Sequence, residues 1–221
     1  MSNGPQIFFN GLLGSSPSFS STKSLDFDGV DDYVETASTF SLLDGLTNFA
    51  FSFWFKTSSF SYKQLFWIDG SSATANYAQT QLVVRPNYLI WYFNNNSYYV
   101  YANNNLVADT WYHALCTRDA TRGIGDKARI YINGVNETAS DSTVGLTTLE
   151  TSTSGLKIGD GDFRGNYSGN IDEFAVYNQD MAAYISEIYT GTPNDLSALA
   201  TAPAPNAWYR MGDDATFPTI P

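Results

Sequence analysis

At 221 residues and a net charge of −11, from 11 Lys and Arg against 22 Asp and Glu, the chain repels phosphate backbones, which argues against nucleic-acid binding. Its 43% hydrophobic and 16% aromatic content is enough for one substantial core, which argues against disorder, and no apolar run approaches the roughly 20 residues of a membrane-spanning helix. The single Cys116 and the single His113 exclude an internal disulfide and a zinc cluster.

In chain order, residues 1–23 read as an N-terminal arm that carries Ile7-Phe8-Phe9 and Leu12-Leu13 and lacks the basic start and apolar run of a secretory signal. Asp28, Asp31 and Asp32 then crowd one turn. Phe49, Phe51, Phe53 and Phe55 alternate strictly, which puts four rings on one buried face and Ala50, Ser52, Trp54 and Lys56 on the other. Further strands are expected over residues 64–68, 80–85, 88–93, 97–102, 111–118, 128–133, 155–159 and 170–177. Asn94-Asn95-Asn96 is expected to turn one aromatic strand into the next, because asparagine tolerates left-handed backbone angles. His113 and Cys116 fall on opposite faces of their strand, so the thiol is expected to pack inertly. Trp111 and Ile130 are expected to join the phenylalanines in the core. One helix is expected over residues 181–190, capped by Asp180 and closed by Gly191. Residues 196–205, rich in Ala, Ser, Thr and Pro, read as a linker to a last strand and turn at 208–213.

These elements predict an all-β, two-sheet antiparallel jelly-roll sandwich with one short C-terminal helix. Six blocks in order also resemble the laminin-G-like, concanavalin A-like jelly-roll superfamily. They are residues 25–34 (Leu25-Asp26-Phe27-Asp28-Gly29 onward), Phe51-Ser52-Phe53-Trp54-Phe55-Lys56, Trp111-Tyr112-His113-Ala114, residues 128–135 ending at Asn133-Gly134-Val135, Leu156-Lys157-Ile158-Gly159, and residues 169–177 around Ile171-Asp172-Glu173-Phe174. The resemblance implies a domain over 24–192, flanked by the arm at 1–23 and by a C-terminal linker and terminal strand or arm at 193–221. Ala207-Trp208-Tyr209-Arg210-Met211-Gly212-Asp213, with Phe217-Pro218-Thr219-Ile220, is similar to segments following such domains in marine bacteriophage structural proteins.

The resemblance implies a non-enzymatic virion component, on the capsid surface or an appendage, that contacts other virion proteins or itself as a homo-oligomer, and glycans. The alternative is an extracellular carbohydrate-binding module, with a glycoside hydrolase as a third class. No insertion into a membrane is expected. The apolar groups on the two terminal arms either fold back over their own sandwich or dock on a neighbour.

Three groups of residues are candidates for chemistry. If Leu89, Trp91 and Phe93 face the core, Tyr88 and Tyr92 face away, and Tyr99 and Tyr101 join them from the next strand. Such a row stacks sugar faces, builds a protein interface, or simply ladders the sheet. Asp28 and Asp31, with Asp32 beside them, suit calcium, and the resemblance brings the strand bearing Asp172 next to them; Asp160 and Asp162 are a second acidic pair. The turn-making role of aspartate explains the same residues without a metal. Glycoside hydrolysis needs two carboxylates on one face, whereas Asp172 and Glu173 are adjacent and are expected to point apart.

Overall fold

Side-chain alternation along Phe49–Thr57 decides the architecture, because a strand with four phenylalanines on one face must press that face against a second layer. The computed structural model describes residues 19–70, 78–86, 88–103, 105–160 and 164–213, and they build two antiparallel seven-stranded sheets. The strands are β1 (Leu25–Asp28), β2 (Val34–Glu35), β3 (Phe49–Thr57), β4 (Lys63–Asp69), β5 (Ala78–Arg85), β6 (Tyr88–Phe93) and β7 (Tyr98–Asn103). They continue as β8 (Tyr112–Arg118), β9 (Ala128–Ile132), β10 (Val135–Asn136), β11 (Thr138–Asp141), β12 (Lys157–Ile158), β13 (Ser168–Tyr177) and β14 (Ala207–Tyr209). The first sheet runs β1-β13-β3-β8-β9-β10, with β14 also paired to β13, and the second runs β11-β7-β6-β5-β4-β12-β2. The fold is the two-sheet sandwich that the sequence predicts.

Between the sheets, Phe49, Phe51, Phe53 and Phe55 are fully buried, as is Ile130. Phe53 stacks on Phe174 at 5.3 Å between centroids, and Phe51 meets Phe66 of the opposite sheet at 4.4 Å. Cys116 is buried in this core. Trp111 is not: the inward positions of β8 are Tyr112, Ala114 and Cys116, so strand parity sends Trp111 outward, where it is 37% exposed.

The outer face of the first sheet carries a second, smaller core. Ala50, Leu115, Ala175 and Tyr177 are covered there by Met181, Ile188, Leu196 and Ala202. Residues 196–205 therefore pack instead of linking, because the apolar outward residues Ala50, Leu115, Ala175 and Tyr177 need a cover. The helix is shorter than expected. A 3₁₀ turn at Ala182–Tyr184 leads into α1 (Ile185–Ile188). Met181 and Tyr184 stand at the cap positions with no side-chain cap bond, and Asp180, expected as the cap, accepts the backbone N–H of Ala182 at 3.2 Å from before the turn. The helix stops early because Tyr189 turns to extended geometry (φ −113, ψ 115) and lays its ring against His113 and Trp54.

The central correction concerns β13. Asp172 pairs with Trp54 but Ala175 pairs with Ser52, so Glu173 and Phe174 oppose one residue of β3. Glu173 takes φ +49, the signature of an inserted bulge residue. Side-chain parity slips at that point, and Asp172 and Glu173, expected on opposite faces, emerge on the same side. Along the free edge of β13, β1 pairs with residues 168–171 and β14 with 174–176, so the bulge sits where the two ends of the domain meet.

Candidate functional site

The tyrosine row exists as predicted. Leu89, Trp91 and Phe93 are fully buried, which turns Tyr88, Ile90 and Tyr92 to the outer face of the second sheet. Asn94, Asn95 and Asn96 take φ of 41, 54 and 62, so three left-handed residues close the hairpin and set its register. That register places Tyr92 opposite Tyr99, Ile90 opposite Tyr101, and Tyr88 opposite Asn103. Those six residues line a depression of about 430 Å³. Tyr92 and Tyr99 lie 6.2 Å apart between centroids and Tyr88 and Tyr101 6.1 Å, with Ile90 buried as the floor and Tyr99 exposed at the rim.

Two arginines beside this cleft escaped the sequence reading. The Arg85 guanidinium lies 3.8 Å from the Tyr62 ring centroid and donates to the Tyr88 hydroxyl at 3.0 Å. Arg164 stacks over Tyr92 at 4.5 Å and Tyr62 at 5.1 Å. The signal for Arg85 is its place at the end of β5, directly across from Tyr88. Arg164 has none, since it arrives from a loop far along the chain. A polar chain continues from the cleft: Gln81 donates to Asn96 at 2.6 Å and accepts from Gln64 at 3.1 Å. The buried Arg85 Nε and Gln64 Oε1 have no hydrogen-bond partner among the described residues.

The acidic candidates separate into two groups. Asp28, Asp31 and Asp32 come together on the surface, with carboxylate oxygens within 4.8 Å of one another. Three hard oxygen donors suit calcium. Two of them also serve the loop's own backbone: Asp28 accepts the Val30 N–H at 2.7 Å and Asp32 the Asp28 N–H at 3.1 Å. Asp172 does not belong to this group. Asp28 pairs with Ser168, four positions from Asp172 along β13, or about 13 Å at the usual strand rise. Its partners are instead Glu173 and Asp213. Asp160 forms an ion pair with Lys157 at 3.6 Å, and Asp162 lies outside the described residues.

Asp172, Glu173 and Asp213 clasp the two ends of the domain. Asp172 accepts from the Ser21 hydroxyl at 2.7 Å, and Asp213 from the Thr22 hydroxyl at 2.8 Å and the Thr22 N–H at 3.0 Å. Glu173 pairs with Arg210 at 3.3 Å, and Arg210 also donates to the Ser20 carbonyl. Burial pushes the Asp172 carboxyl up to about 6, and pushes Glu173 up to about 7 against the pull of Arg210. Their carboxylate oxygens lie within 4.8 Å of one another, and a glycosidase works with such a carboxyl pair. The Glu173 side chain, however, is only 3% exposed and is held by Arg210, an arrangement that ties the chain ends together and leaves Glu173 poorly placed to act on a sugar. His113 is equally ill-placed for catalysis. Burial pushes it down to about 3, its Nε2 lies 2.9 Å from Ser52 Oγ on the outer side, and Cys116 sits in the core, where burial pushes the thiol up.

The family described as the Concanavalin A-like lectin/glucanases superfamily matches residues 28–183. No curated protein matches the sequence. Among solved structures, a heptameric SAP-like pentraxin from Limulus polyphemus superposes with a TM-score of 0.61 at 14% identity, over 84% of this chain and 89% of that one. Domain 4 of AbnA, an extracellular arabinanase from Geobacillus stearothermophilus solved with arabinotriose, gives 0.53 at 14% identity, over 80% and 82%. The CBM40 of the Ruminococcus gnavus IT-sialidase, bound to α2,6 sialyllactose, gives 0.51 at 12% identity, over 72% and 92%.

Proposed function

Because the chain belongs to the concanavalin A-like lectin/glucanase superfamily, we propose that it is a non-enzymatic saccharide-binding sandwich whose ligand lies across Tyr88, Tyr92, Tyr99 and Tyr101. One observation carries this reading: the hairpin register brings all four tyrosines around a single depression of about 430 Å³. A ring face stacks on C–H surface, the phenol oxygens and Asn103 read hydroxyls, and the volume lies in the range of small-ligand sites. Arg85 and Arg164, stacked on the same tyrosines, favour a glycan that carries a carboxylate. The solved relatives holding arabinotriose and sialyllactose support the ligand class.

The test is an array of neutral and sialylated oligosaccharides probed with the wild-type chain and with Tyr92→Ala. Loss of one stacking ring should weaken binding about tenfold, the equivalent of about 1.4 kcal/mol. A Tyr92→Ala profile identical to wild type would defeat the reading.

The proposal extends to location and to a metal. The resemblance of residues 207–213 to phage structural segments supports a place on a virion surface, in contact with other virion proteins or further copies. Mass spectrometry of purified particles should find the chain, and its absence would leave the secreted module. A structural calcium at Asp28, Asp31 and Asp32 should raise the melting temperature on calcium addition and lower it with chelator, since a ligand held only by the folded state stabilises it.

A further inference from the structure

The outer face of the first sheet, on the opposite side of the molecule from the tyrosines, holds a pocket of about 460 Å³. Its floor is Trp54 and Asp172, direct cross-strand partners on β3 and β13. Lys56 follows two positions along β3, and Trp111 stands beside it, just before the Phe55–Tyr112 pair, with the Lys56 ammonium 5.4 Å from its ring centroid. Residues 21–24 and 191–193 wall it on two sides, with Ser21, Thr22, Ser24 and Thr192 among them. Trp54 is fixed from behind by His113 and Tyr189, at 5.4 and 5.7 Å. Trp111 is 37% exposed.

We infer that this pocket is a second saccharide site, selective for a neutral sugar, which makes the molecule a two-faced binder. It shares the ligand class of the function proposed above and rests on that reading to this extent. Its own support is chemical. One ammonium and one carboxyl face the same space, so an anionic ligand meets Asp172 and a cationic one meets Lys56; a neutral polyhydroxyl ligand uses both, the first as donor and the second as acceptor. The indoles supply the apolar faces against which a sugar ring stacks, and the serine and threonine rim reads hydroxyls. A protein partner fits worse, since a stable interface covers about 800 Å² on each side and this is one concave pocket.

The experiment uses the same array of neutral and sialylated oligosaccharides with wild type, Trp111→Ala, Trp111→Phe and Tyr92→Ala, each checked for native circular dichroism. Trp111→Ala should lose about tenfold on neutral oligosaccharides that Tyr92→Ala still binds, and Trp111→Phe, which keeps a stacking face, should recover most of it. Lys56→Gln, which retains a donor, should weaken binding less than Trp111→Ala and replaces it as the test variant if Trp111→Ala misfolds. A Trp111→Ala profile that matches wild type overturns the second site whatever Tyr92→Ala does. A change in Tyr92→Ala alone leaves the tyrosine site standing by itself, and a change in Trp111→Ala alone removes it in favour of this one.

Discussion

Glu173 is the residue on which the most depends. It is 2% exposed, takes a left-handed φ of +49, and keeps its carboxyl beside Asp172 with Arg210 as counter-ion. A glutamate in that conformation carries a backbone cost of roughly 1–3 kcal/mol, which the surrounding β1, β3 and β14 pairings must outweigh. Its raised carboxyl has a consequence for stability. The folded chain holds a proton on Glu173 at pH values where the unfolded chain, with the ordinary value of 4.5, has released it. Protons bound by the folded state make stability fall as pH rises, here between about 4.5 and 7. His113, pushed down to about 3, acts in the opposite sense over its own window, from about 3 to its ordinary 6.5, so the informative quantity is the difference between two chains. The stability of wild type relative to Glu173→Gln, measured by urea denaturation, should decline from pH 5 to pH 8. A difference independent of pH would mean that the Glu173 carboxyl is ionised throughout.

At the scale of elements, β3 and β13 position the core and the floor of the second pocket. The inner face of β3 anchors the core through Phe53, fully buried and stacked on Phe174, while its outer face presents Trp54 and Lys56 to the second pocket. Phe53→Ala should therefore destabilise the chain by roughly 3–5 kcal/mol, the usual cost of emptying a buried aromatic site. A loss below 1 kcal/mol in chemical denaturation would contradict the tight packing between β3, β13 and the opposite sheet. The β6–β7 hairpin works by a different device. Its turn of three asparagines fixes which outward side chains face each other, so a one-residue slip would turn the tyrosines into the core.

Across the whole molecule, the two ends are parts of one clasp. Ser21 and Thr22 reach Asp172 and Asp213, Arg210 reaches Ser20 and Glu173, and β14 completes the edge of β13 beside β1. Leu196 and Ala202 cover the outer face of the first sheet on the way. A chain cut to residues 22–192 loses the tail, Arg210 and the Ser21 hydroxyl together, leaving Glu173 without its counter-ion. Its thermal midpoint should drop well below that of the full chain, by several degrees for each kcal/mol lost. An unchanged midpoint would mean that the tail is dispensable to the sandwich and free to serve a partner. The ends for which docking on a neighbour was an alternative thus fold back over 19–24 and 196–213. Ile7, Phe8, Phe9, Leu12, Leu13 and Phe217 lie outside the described residues.

What the sequence determined by itself is whatever follows from local alternation and turn chemistry: the two-sheet class, the phenylalanine face, the buried cysteine, and the four tyrosines on one surface. Each depends on neighbours within one strand or one hairpin, and a period of two is visible in a string of letters. Tertiary structure alone decided the rest. The bulge at Glu173 reversed the expected facing of two carboxyls, because its extra residue is defined only by what β3 places opposite. The separation of Asp172 from Asp28 followed from the register of β1 on β13. Arg164 reached the tyrosines from a distant loop, and Trp54, Trp111 and Asp172 met across three segments of chain. Long-range pairing register, unlike alternation, is set by the packing of the whole sandwich and leaves no trace in any single stretch of sequence.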